Sequence, residues 1–182
     1  MVRIVAFLIF VAAAFPAAAS DSAWEALRTG GTVALLRHAR APGTGDPAGF
    51  RLEDCGTQRN LSEEGRNQAR RIGAAFREHG VRVARILSSR WCRALDTARL
   101  AFGSVEPFPA LDSFFGDRGT EAAQTRAVRD LVAQWRGQSG VLALVTHQVN
   151  ITALTGVFPA EGEVLVLRPD GDGFAIAGRL RP

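Results

Sequence analysis

Three stretches of the sequence run from apolar residues directly into an arginine or a histidine. They read VALLRHARA over residues 33–41, VARILSSRWCR over residues 83–93 and VLALVTH over residues 141–147. A guanidinium is always charged and binds phosphate oxygens through paired hydrogen bonds, and an imidazole can act as a nucleophile. We interpret the three ends as parts of one phosphate pocket.

Each of these side chains alone also has a structural interpretation, such as an ion pair or a strand cap. Together they are two histidines and two arginines in a sequence without lysine, a metal-ligand cluster or a glycine-rich phosphate loop. That combination favours phosphoryl transfer through an imidazole nucleophile, with positive charge on the phosphoryl oxygens. The four residues are Arg37, His38, Arg93 and His147.

The elements that must position these residues predict an α/β fold. Residues 32–36 form a continuous apolar run, which is typical of a strand covered on both faces. A helix is predicted after Ser62, its expected N-cap, and another over residues 91–102. Alternating strands and helices predict a three-layer α/β/α sandwich with a mostly parallel central sheet. Ligands of such sheets bind outside the carboxyl ends of the strands, where the four residues fall.

Other segments complete the predicted domain. The sequence VLVLRPDGDGFAIAGRL near the end predicts a hairpin at the edge of the sheet. Residues 39–60 are rich in Gly, Pro and Asp and predict a long loop over the pocket. Further helices are predicted from a cap at Asp21 or Ser22 and over residues 120–138.

Length and composition bound the class of protein. The 182 residues, 47% hydrophobic and 22% charged, suit a single globular domain. All 22 basic residues are arginines, and with the 18 acidic residues they give a net charge of +4. The arginines are interspersed with the acidic residues and form no basic run. We therefore expect no nucleic-acid partner.

The first nineteen residues differ from the rest. A basic start at Arg3 precedes an apolar stretch over residues 4–15, and Ala17 and Ala19 fit a signal-peptidase site. The apolar stretch is shorter than the ~20 residues that span a bilayer, so no stable membrane anchor is expected. We predict a signal peptide cleaved after Ala19, a single domain over residues 20–182, and a periplasmic or secreted location.

The chain has two cysteines, Cys55 and Cys92. In an oxidising compartment such a pair favours a disulfide, which would stabilise the fold by about 3 to 4 kcal/mol on the chain-entropy model. Two independent buried thiols are the alternative. No CxxC or HxxxH spacing accompanies them, so no metal site is predicted.

Four motifs in the chain resemble those of the histidine phosphatase (phosphoglycerate-mutase-like) superfamily. LLRHA resembles the family's RH pair after strand one, NLSEEGRNQARRIG its "LT..G..QA" helix, SSRWCRALDTA its "S.L.RA..TA" motif and VTH its late "V(S/T)H". The four occur in the family's order. The resemblance implies that His38 is the nucleophile that forms a phosphohistidine, that Arg37 and Arg93 bind the phosphoryl oxygens, and that His147 stabilises the transferring group.

The chain departs from the family pattern at three positions. Ala39 replaces the usual glycine after the RH pair, which matters only if that position needs a positive φ. Thr44 stands at a position that is commonly asparagine in the mutases and could still bind phosphate. The family's glutamate proton donor is missing, and we assign its role to Asp112, with Asp117, Glu121 or no acid as alternatives.

The resulting hypothesis is an exported, metal-independent phosphatase without a cofactor. It would hydrolyse a phosphomonoester, or a phosphoramidate, through a phosphohistidine on His38. Its substrate would be a phosphorylated small molecule or an envelope component, and the sequence does not indicate an oligomeric state. A phosphomutase and a catalytically inactive module that binds a phosphorylated ligand are the alternatives.

Overall fold

The computed structural model of the protein describes residues 17–182. These residues form five α-helices, six strands and three short 3-10 turns. The helices are α1 Ala17–Thr29, α2 Glu63–Glu78, α3 Cys92–Phe102, α4 Glu121–Gln134 and α5 Gln148–Thr155. The strands are β1 Thr32–Arg37, β2 Val83–Ser88, β3 Glu106–Pro107, β4 Val141–Thr146, β5 Val164–Asp170 and β6 Gly173–Leu180. The 3-10 turns are Cys55–Thr57, Pro109–Leu111 and Arg118–Thr120.

The strands form one mixed sheet in the order β3-β2-β4-β1-β5-β6. Strands β1 to β4 pair in parallel, whereas β5 is antiparallel to both β1 and β6. Strands β5 and β6 form the hairpin at the sheet edge. The predicted parallel sheet and its C-terminal hairpin are therefore confirmed.

Side chains of the central strands alternate between two apolar cores, as the pleat of a strand requires. Along β1, Ala34 and Leu36 pack with helices α1, α2 and α3, whereas Val33 and Leu35 pack with α4 and α5. Strands β4 and β5 divide their side chains in the same way. Helices thus cover both faces of the sheet, which confirms the predicted three-layer α/β/α sandwich.

Two helix boundaries differ from the predictions. Helix α1 already includes Ala17, the first described residue, and so extends before the cap predicted at Asp21 or Ser22, because alanines propagate a helix readily. Helix α4 ends at Gln134, four residues before the predicted end at residue 138. Gly137, within the predicted helix, adopts a φ of 72°, which is not helical. The predicted cleavage after Ala19 falls in the first turn of α1, and residues 1–16 of the predicted signal peptide lie outside the described residues. Within residues 17–182, no helix is both long and apolar enough to cross a membrane.

Helix α2 lies unusually close to its neighbours because two of its residues are glycines. Ser62 caps it as predicted, its Oγ accepting a hydrogen bond from the Gly65 N–H at 3.0 Å. A Cβ at Gly65 would lie 2.0 Å from the carbonyl oxygen of Arg40, and one at Gly73 would lie 2.0 Å from that of Ala101. The glycines therefore allow α2 to support both the segment after β1 and helix α3.

Candidate active site

The register of the sheet brings the predicted strand ends together. The backbone N–H of His38 donates to the carbonyl of Thr146 at 2.9 Å, and the N–H of Ser89 donates to Val145 at 2.9 Å. His147 follows Thr146 directly. The residues after β1, β2 and β4 therefore meet at the carboxyl edge of the sheet, where an α/β fold presents its ligand site.

Arg93 reaches the same edge from the first turn of α3. The hydroxyl of Thr97 donates to the carbonyl of Arg93 at 2.7 Å and accepts a hydrogen bond from the backbone N–H of Ala39 at 3.0 Å. This link fixes α3 against the end of β1. No non-glycine residue in the described part of the chain has a positive φ, so Ala39 replaces the family's glycine without backbone strain.

The geometry of His38 defines one reactive nitrogen. Its ring is 2% exposed, and Nδ1 lies 2.8 Å from the carbonyl oxygen of Ala39. Because a carbonyl only accepts, Nδ1 carries the proton and Nε2 keeps its lone pair. Burial, together with the charges of Arg93, Arg37 and Arg59, lowers the pKa of His38 to about 3, despite the opposing effect of the Ala39 carbonyl. His38 is thus a neutral imidazole at ordinary pH.

His147 lies beside it, with the two ring centroids 5.4 Å apart. Its Nε2 is 2.8 Å from the hydroxyl of Ser89, and its ring stands edge-on to Trp91. Burial, followed by the charges of His38 and Arg93, lowers the pKa of His147 well below its usual value. Nδ1 of His147 is buried and has no hydrogen-bond partner.

The two predicted arginines also keep buried polar atoms without partners. Arg37 donates from Nη1 to the carbonyl of Pro159 at 2.9 Å, and its Nη2 lies 3.8 Å from Glu161. The Nε atoms of Arg37 and Arg93 are both buried and unpartnered. A buried donor without an acceptor is costly, and such groups are rare in folded proteins. These two donors make the site suited to an anion rich in acceptors.

Asp46 is a site residue that sequence reasoning missed. Its carboxylate receives two hydrogen bonds from Arg93, at 2.7 and 3.1 Å, and others from the Trp91 indole at 2.9 Å and the Arg59 backbone at 3.0 Å. Burial alone would raise the pKa of Asp46, but the hydrogen bonds and charge of Arg93 outweigh it and lower the pKa. Asp46 therefore stays ionised and holds Arg93 in place. It lies within a Gly- and Pro-rich loop with no periodicity, so no sequence signal marked it.

Arg59 adds a third guanidinium to the site. Its Nε donates to the carbonyl of Gly45 at 2.7 Å, and its Nη1 also donates to the carbonyl of Ala41. Burial, followed by the charge of Arg93, lowers the pKa of Arg59. The side chain thus ties the long loop to the site and adds positive charge.

A cavity of about 780 Å³ opens at this edge of the sheet. Five of the predicted site residues line it, which are Arg37, His38, Thr44, Arg93 and His147. Thr44 is exposed at its wall. The structure therefore brings the predicted phosphate-binding and histidine residues to one cavity.

Asp112, the predicted proton donor, does not line that cavity. Its carboxylate accepts hydrogen bonds from the Arg90 backbone at 2.8 Å and the Arg90 Nε at 2.7 Å, and lies 3.3 Å from the Ser89 hydroxyl. Arg90 is therefore a partner of Asp112 and takes its carboxylate away from the site. Asp117, named as an alternative, does line the cavity, whereas Glu121 does not.

Cys55 and Cys92 form a disulfide, with their Cα atoms 5.7 Å apart. The bridge joins the 3-10 turn of the long loop to the first residue of α3, one position before Arg93. The backbone N–H of Cys92 also donates to the side chain of Gln58 at 3.0 Å. Loop and helix are thus fixed together beside the site. Across residues 17–182, no group of three or more His, Cys, Asp or Glu side chains could hold a metal ion.

Solved structures of phosphatases share this fold. The protein histidine phosphatase SixA complexed with tungstate matches with a TM-score of 0.59 and 17% identity, over 83% of this chain and 97% of that one. A proposed phosphohistidine phosphatase SixA from Agrobacterium tumefaciens matches with a TM-score of 0.53 and 25% identity, over 83% of this chain and 97% of that one. A mutant phosphoserine phosphatase from Entamoeba histolytica, in complex with phosphoserine, matches with a TM-score of 0.56 and 12% identity, over 81% of this chain and 95% of that one.

The sequence profile of the histidine phosphatase superfamily (branch 1) matches residues 33–114. That range holds the RH pair, the α2 motif and the arginine of α3. Together with the shared fold, the match supports the histidine phosphatase superfamily as the family that this chain resembles. A search of curated protein sequences gave no significant match.

Proposed function

We propose that the protein is an exported phosphatase that hydrolyses a phosphomonoester or a phosphoramidate through a phosphohistidine on His38. One observation carries the proposal: the buried, neutral imidazole of His38 stands among three guanidiniums, beside unpartnered nitrogens of Arg37, Arg93 and His147. A neutral nucleophile within a cationic pocket is what phosphoryl transfer to a histidine requires.

The proposed substrate binds with its phosphoryl oxygens toward Arg37, Arg93 and His147. Guanidinium groups stabilise the charge that develops on these oxygens during transfer. Asp46 contributes indirectly, because its paired contact fixes the guanidinium of Arg93 before the substrate arrives. A site organised in advance needs little rearrangement in the transition state.

Nε2 of His38 attacks phosphorus in the first step, and the bond from phosphorus to the leaving group breaks. The leaving group departs with the bonding electron pair and takes up a proton. In the second step a water molecule attacks the phosphohistidine and gives up a proton, and the bond to Nε2 breaks. Inorganic phosphate leaves, and His38 returns to its starting state. The tautomer fixed by Ala39 serves both steps, because the Nε2 lone pair forms the bond to phosphorus in the first step and is released when that bond breaks in the second.

Asp117 is the acid we assign to these proton transfers. Of the acidic residues in the described chain, only Asp46 and Asp117 line the cavity. Asp46 is held ionised by Arg93, so it does not donate a proton. Asp112 is paired with Arg90, and Glu121 with Arg118. Placement at the cavity therefore favours Asp117.

A phosphoramidate is a substrate class that places less demand on this acid. The second ring nitrogen of a phosphorylated imidazole can take up a proton from solvent near neutral pH, after which the ring leaves as a neutral imidazole without an acid of the enzyme. Two of the structural relatives are described as a protein histidine phosphatase and a proposed phosphohistidine phosphatase. If the substrate is a phosphoramidate, Asp117→Asn should slow its hydrolysis much less than that of an alkyl phosphate.

Export is supported by the disulfide and by the signal-like character of residues 1–19. Disulfides persist in oxidising compartments such as the bacterial periplasm. We therefore place the protein in the periplasm or outside the cell, with phosphorylated small molecules or envelope components as its substrates. Mass spectrometry of the exported protein would detect the new N-terminus at Ser20.

The proposed function is tested with residues 20–182 expressed with the disulfide intact. We expect hydrolysis of 4-nitrophenyl phosphate, unaffected by EDTA, and transfer of labelled phosphate to the protein in an acid-labile, base-stable linkage. His38→Ala should abolish both. His79→Ala is the matched control, because His79 stacks on Trp24 at the opposite side of the fold, with ring centroids 4.1 Å apart.

Labelling that survives His38→Ala would show that another residue is the nucleophile. Binding of phosphate without turnover of ester or phosphoramidate would instead favour the inactive binding module. Loss of activity with EDTA would contradict metal independence.

A further inference from the structure

The outer part of the cavity has a different chemistry from its floor. Four aromatic rings line the cavity, from the buried Trp91 beside His147 outward to Phe50, Phe115 and Phe158. Phe50 and Trp91 pack against each other with centroids 5.6 Å apart. We call these four residues the aromatic rim.

Two members of the aromatic rim are exposed to a degree that is unusual for phenylalanine. Phe115 is 57% exposed and Phe158 is 68% exposed. Among the described residues the only other large hydrophobic side chain with high exposure is Ile176, on β6. Clusters of exposed apolar side chains mark binding surfaces, whereas single exposed apolar side chains are common on protein surfaces. Here two cluster at the mouth of the candidate active site.

The aromatic rim is assembled from four separate parts of the chain. Phe50 belongs to the long loop, Trp91 precedes α3, Phe115 lies between two 3-10 turns and Phe158 follows α5. The long loop meets Phe115 at Gly45, where a Cβ would lie 3.7 Å from the ring, an ordinary contact distance. A convergence of distant segments on one cavity indicates a binding surface more strongly than a single exposed residue.

The charges of the cavity are distributed unevenly. Its three cations, Arg37, Arg59 and Arg93, all lie close enough to His38 to lower the pKa of that histidine. No other arginine of the described residues lines the cavity, and the acid near the aromatic rim is Asp117. The floor therefore suits one phosphoryl group, and the outer part offers no partner for a second anion.

We propose that the aromatic rim binds the leaving group and selects substrates whose leaving group is aromatic or apolar and carries no second negative charge. This inference rests on the proposed function, since it assumes that the phosphoryl group is seated at His38. Aromatic side chains hold flat apolar groups by stacking and edge contacts. An additional carboxylate or phosphate on the same substrate would find no arginine partner there, because the three arginines of the cavity lie beside His38.

Three alkyl phosphates with similar reactivity test this selection. We expect kcat/KM for benzyl phosphate to exceed that for ethyl phosphate by about tenfold, a factor typical of added aromatic contacts. It should also exceed that for 4-carboxybenzyl phosphate, which adds only a negative charge. Equal values for benzyl and ethyl phosphate would overturn the inference while leaving the phosphatase intact.

Variants of the aromatic rim locate the effect. Phe115→Ala and Phe158→Ala should each lower kcat/KM for benzyl phosphate about fivefold, in line with the loss of one aromatic contact, and leave that for ethyl phosphate within twofold. Ile176→Ala, which removes an exposed apolar side chain far from the cavity, should change neither. An equal decrease for both substrates would assign the rings a structural role and overturn the inference.

A binding experiment separates this inference from the proposed function. By calorimetry, benzylphosphonate should bind more tightly than ethylphosphonate, and Phe158→Ala should remove the difference without weakening inorganic phosphate. This result would support the aromatic rim even if no ester is turned over. Failure of phosphate and both phosphonates to bind would contradict the proposed function and this inference together.

The aromatic rim could instead contact a second copy of the chain. Sedimentation of wild type and Phe158→Ala distinguishes the two occupants. A monomer in both cases agrees with a leaving-group site. A dimer that dissociates in Phe158→Ala, with unchanged selectivity between benzyl and ethyl substrates, would make the aromatic rim a subunit contact and overturn the proposal.

Discussion

Two arginine-containing clusters lie at neighbouring parts of the sheet and differ in how their polar atoms are used. In the hairpin cluster, Glu163 is 1% exposed and accepts hydrogen bonds from Arg179 at 2.6 Å, Arg181 at 3.1 Å and the backbone of Ala160 at 2.8 Å. In the cavity cluster, defined by Arg37, His38, Arg93 and His147, three buried nitrogens lack a partner.

The difference lies in which charge is enclosed. The hairpin cluster buries one carboxylate and leaves its arginines partly in solvent, with side chains 43% and 68% exposed. The cavity cluster does the opposite and encloses Arg93, whose side chain is 3% exposed. Enclosed cations with unpartnered donors are arranged for an incoming anion, whereas enclosed anions with satisfied acceptors stabilise the fold.

An arginine-to-lysine substitution in each cluster should show the largest difference between them, in the activity of the enzyme. Arg93→Lys keeps the charge but loses the planar contacts to Asp46 and to a phosphoryl group. We expect kcat/KM to fall about 100-fold, which is the size of losing one donor to transition-state charge. Arg179→Lys should stay within twofold of wild type. Steady-state kinetics on 4-nitrophenyl phosphate measures both.

Circular dichroism and urea unfolding serve as the control for this pair. Both variants should remain folded at the assay temperature. A similar loss of activity in Arg179→Lys would show that the hairpin cluster also acts on the reaction, and the contrast between the clusters would fail.

The parts of the site that the sequence predicted are those fixed by strand geometry. Arg37 and His38 follow a continuous apolar run, and the carboxyl ends of adjacent parallel strands must meet. Asp46 was not predicted because its position depends on contacts with Trp91 and Arg93, which lie far along the chain. The orientation of Asp112 could not be predicted for a related reason: its position in the chain was clear, but its side chain pairs with Arg90 and does not line the cavity.

Removing the buried carboxylate of Glu163 tests whether the hairpin cluster stabilises the fold without affecting activity. Glu163→Ala should lower the free energy of unfolding by about 2 kcal/mol, because three hydrogen bonds are lost while the freed arginines return to solvent. Glu163→Gln, which keeps an acceptor of similar shape, should lose less. Urea denaturation measures the stability, and kcat/KM of the folded fraction should stay within twofold. A stable Glu163→Ala protein with low activity would contradict this assignment.

The smallest expected difference between the clusters is in how the free energy of unfolding changes at acid pH. The folded pKa of His38 is about 3, whereas in the unfolded chain it is near 6.5. Between these values the unfolded state binds a proton that the folded state refuses, so stability decreases as the pH falls. From pH 7 to pH 5 this single histidine should remove about 1 to 2 kcal/mol from the free energy of unfolding. His147, whose pKa is also lowered, adds a loss of the same sign.

The carboxylates behave differently over that range. The pKa of Glu163 is lowered, because its arginine partners outweigh the effect of burial, so its contribution is lost only below its ordinary pKa of 4.5. Urea unfolding of wild type and His38→Ala at pH 7 and pH 5 tests the assignment. The loss should be smaller in His38→Ala and unchanged in Glu163→Gln. Saturating phosphate should also reduce the loss in wild type, because a bound anion raises the pKa of both cavity histidines and so allows the folded state to take up protons.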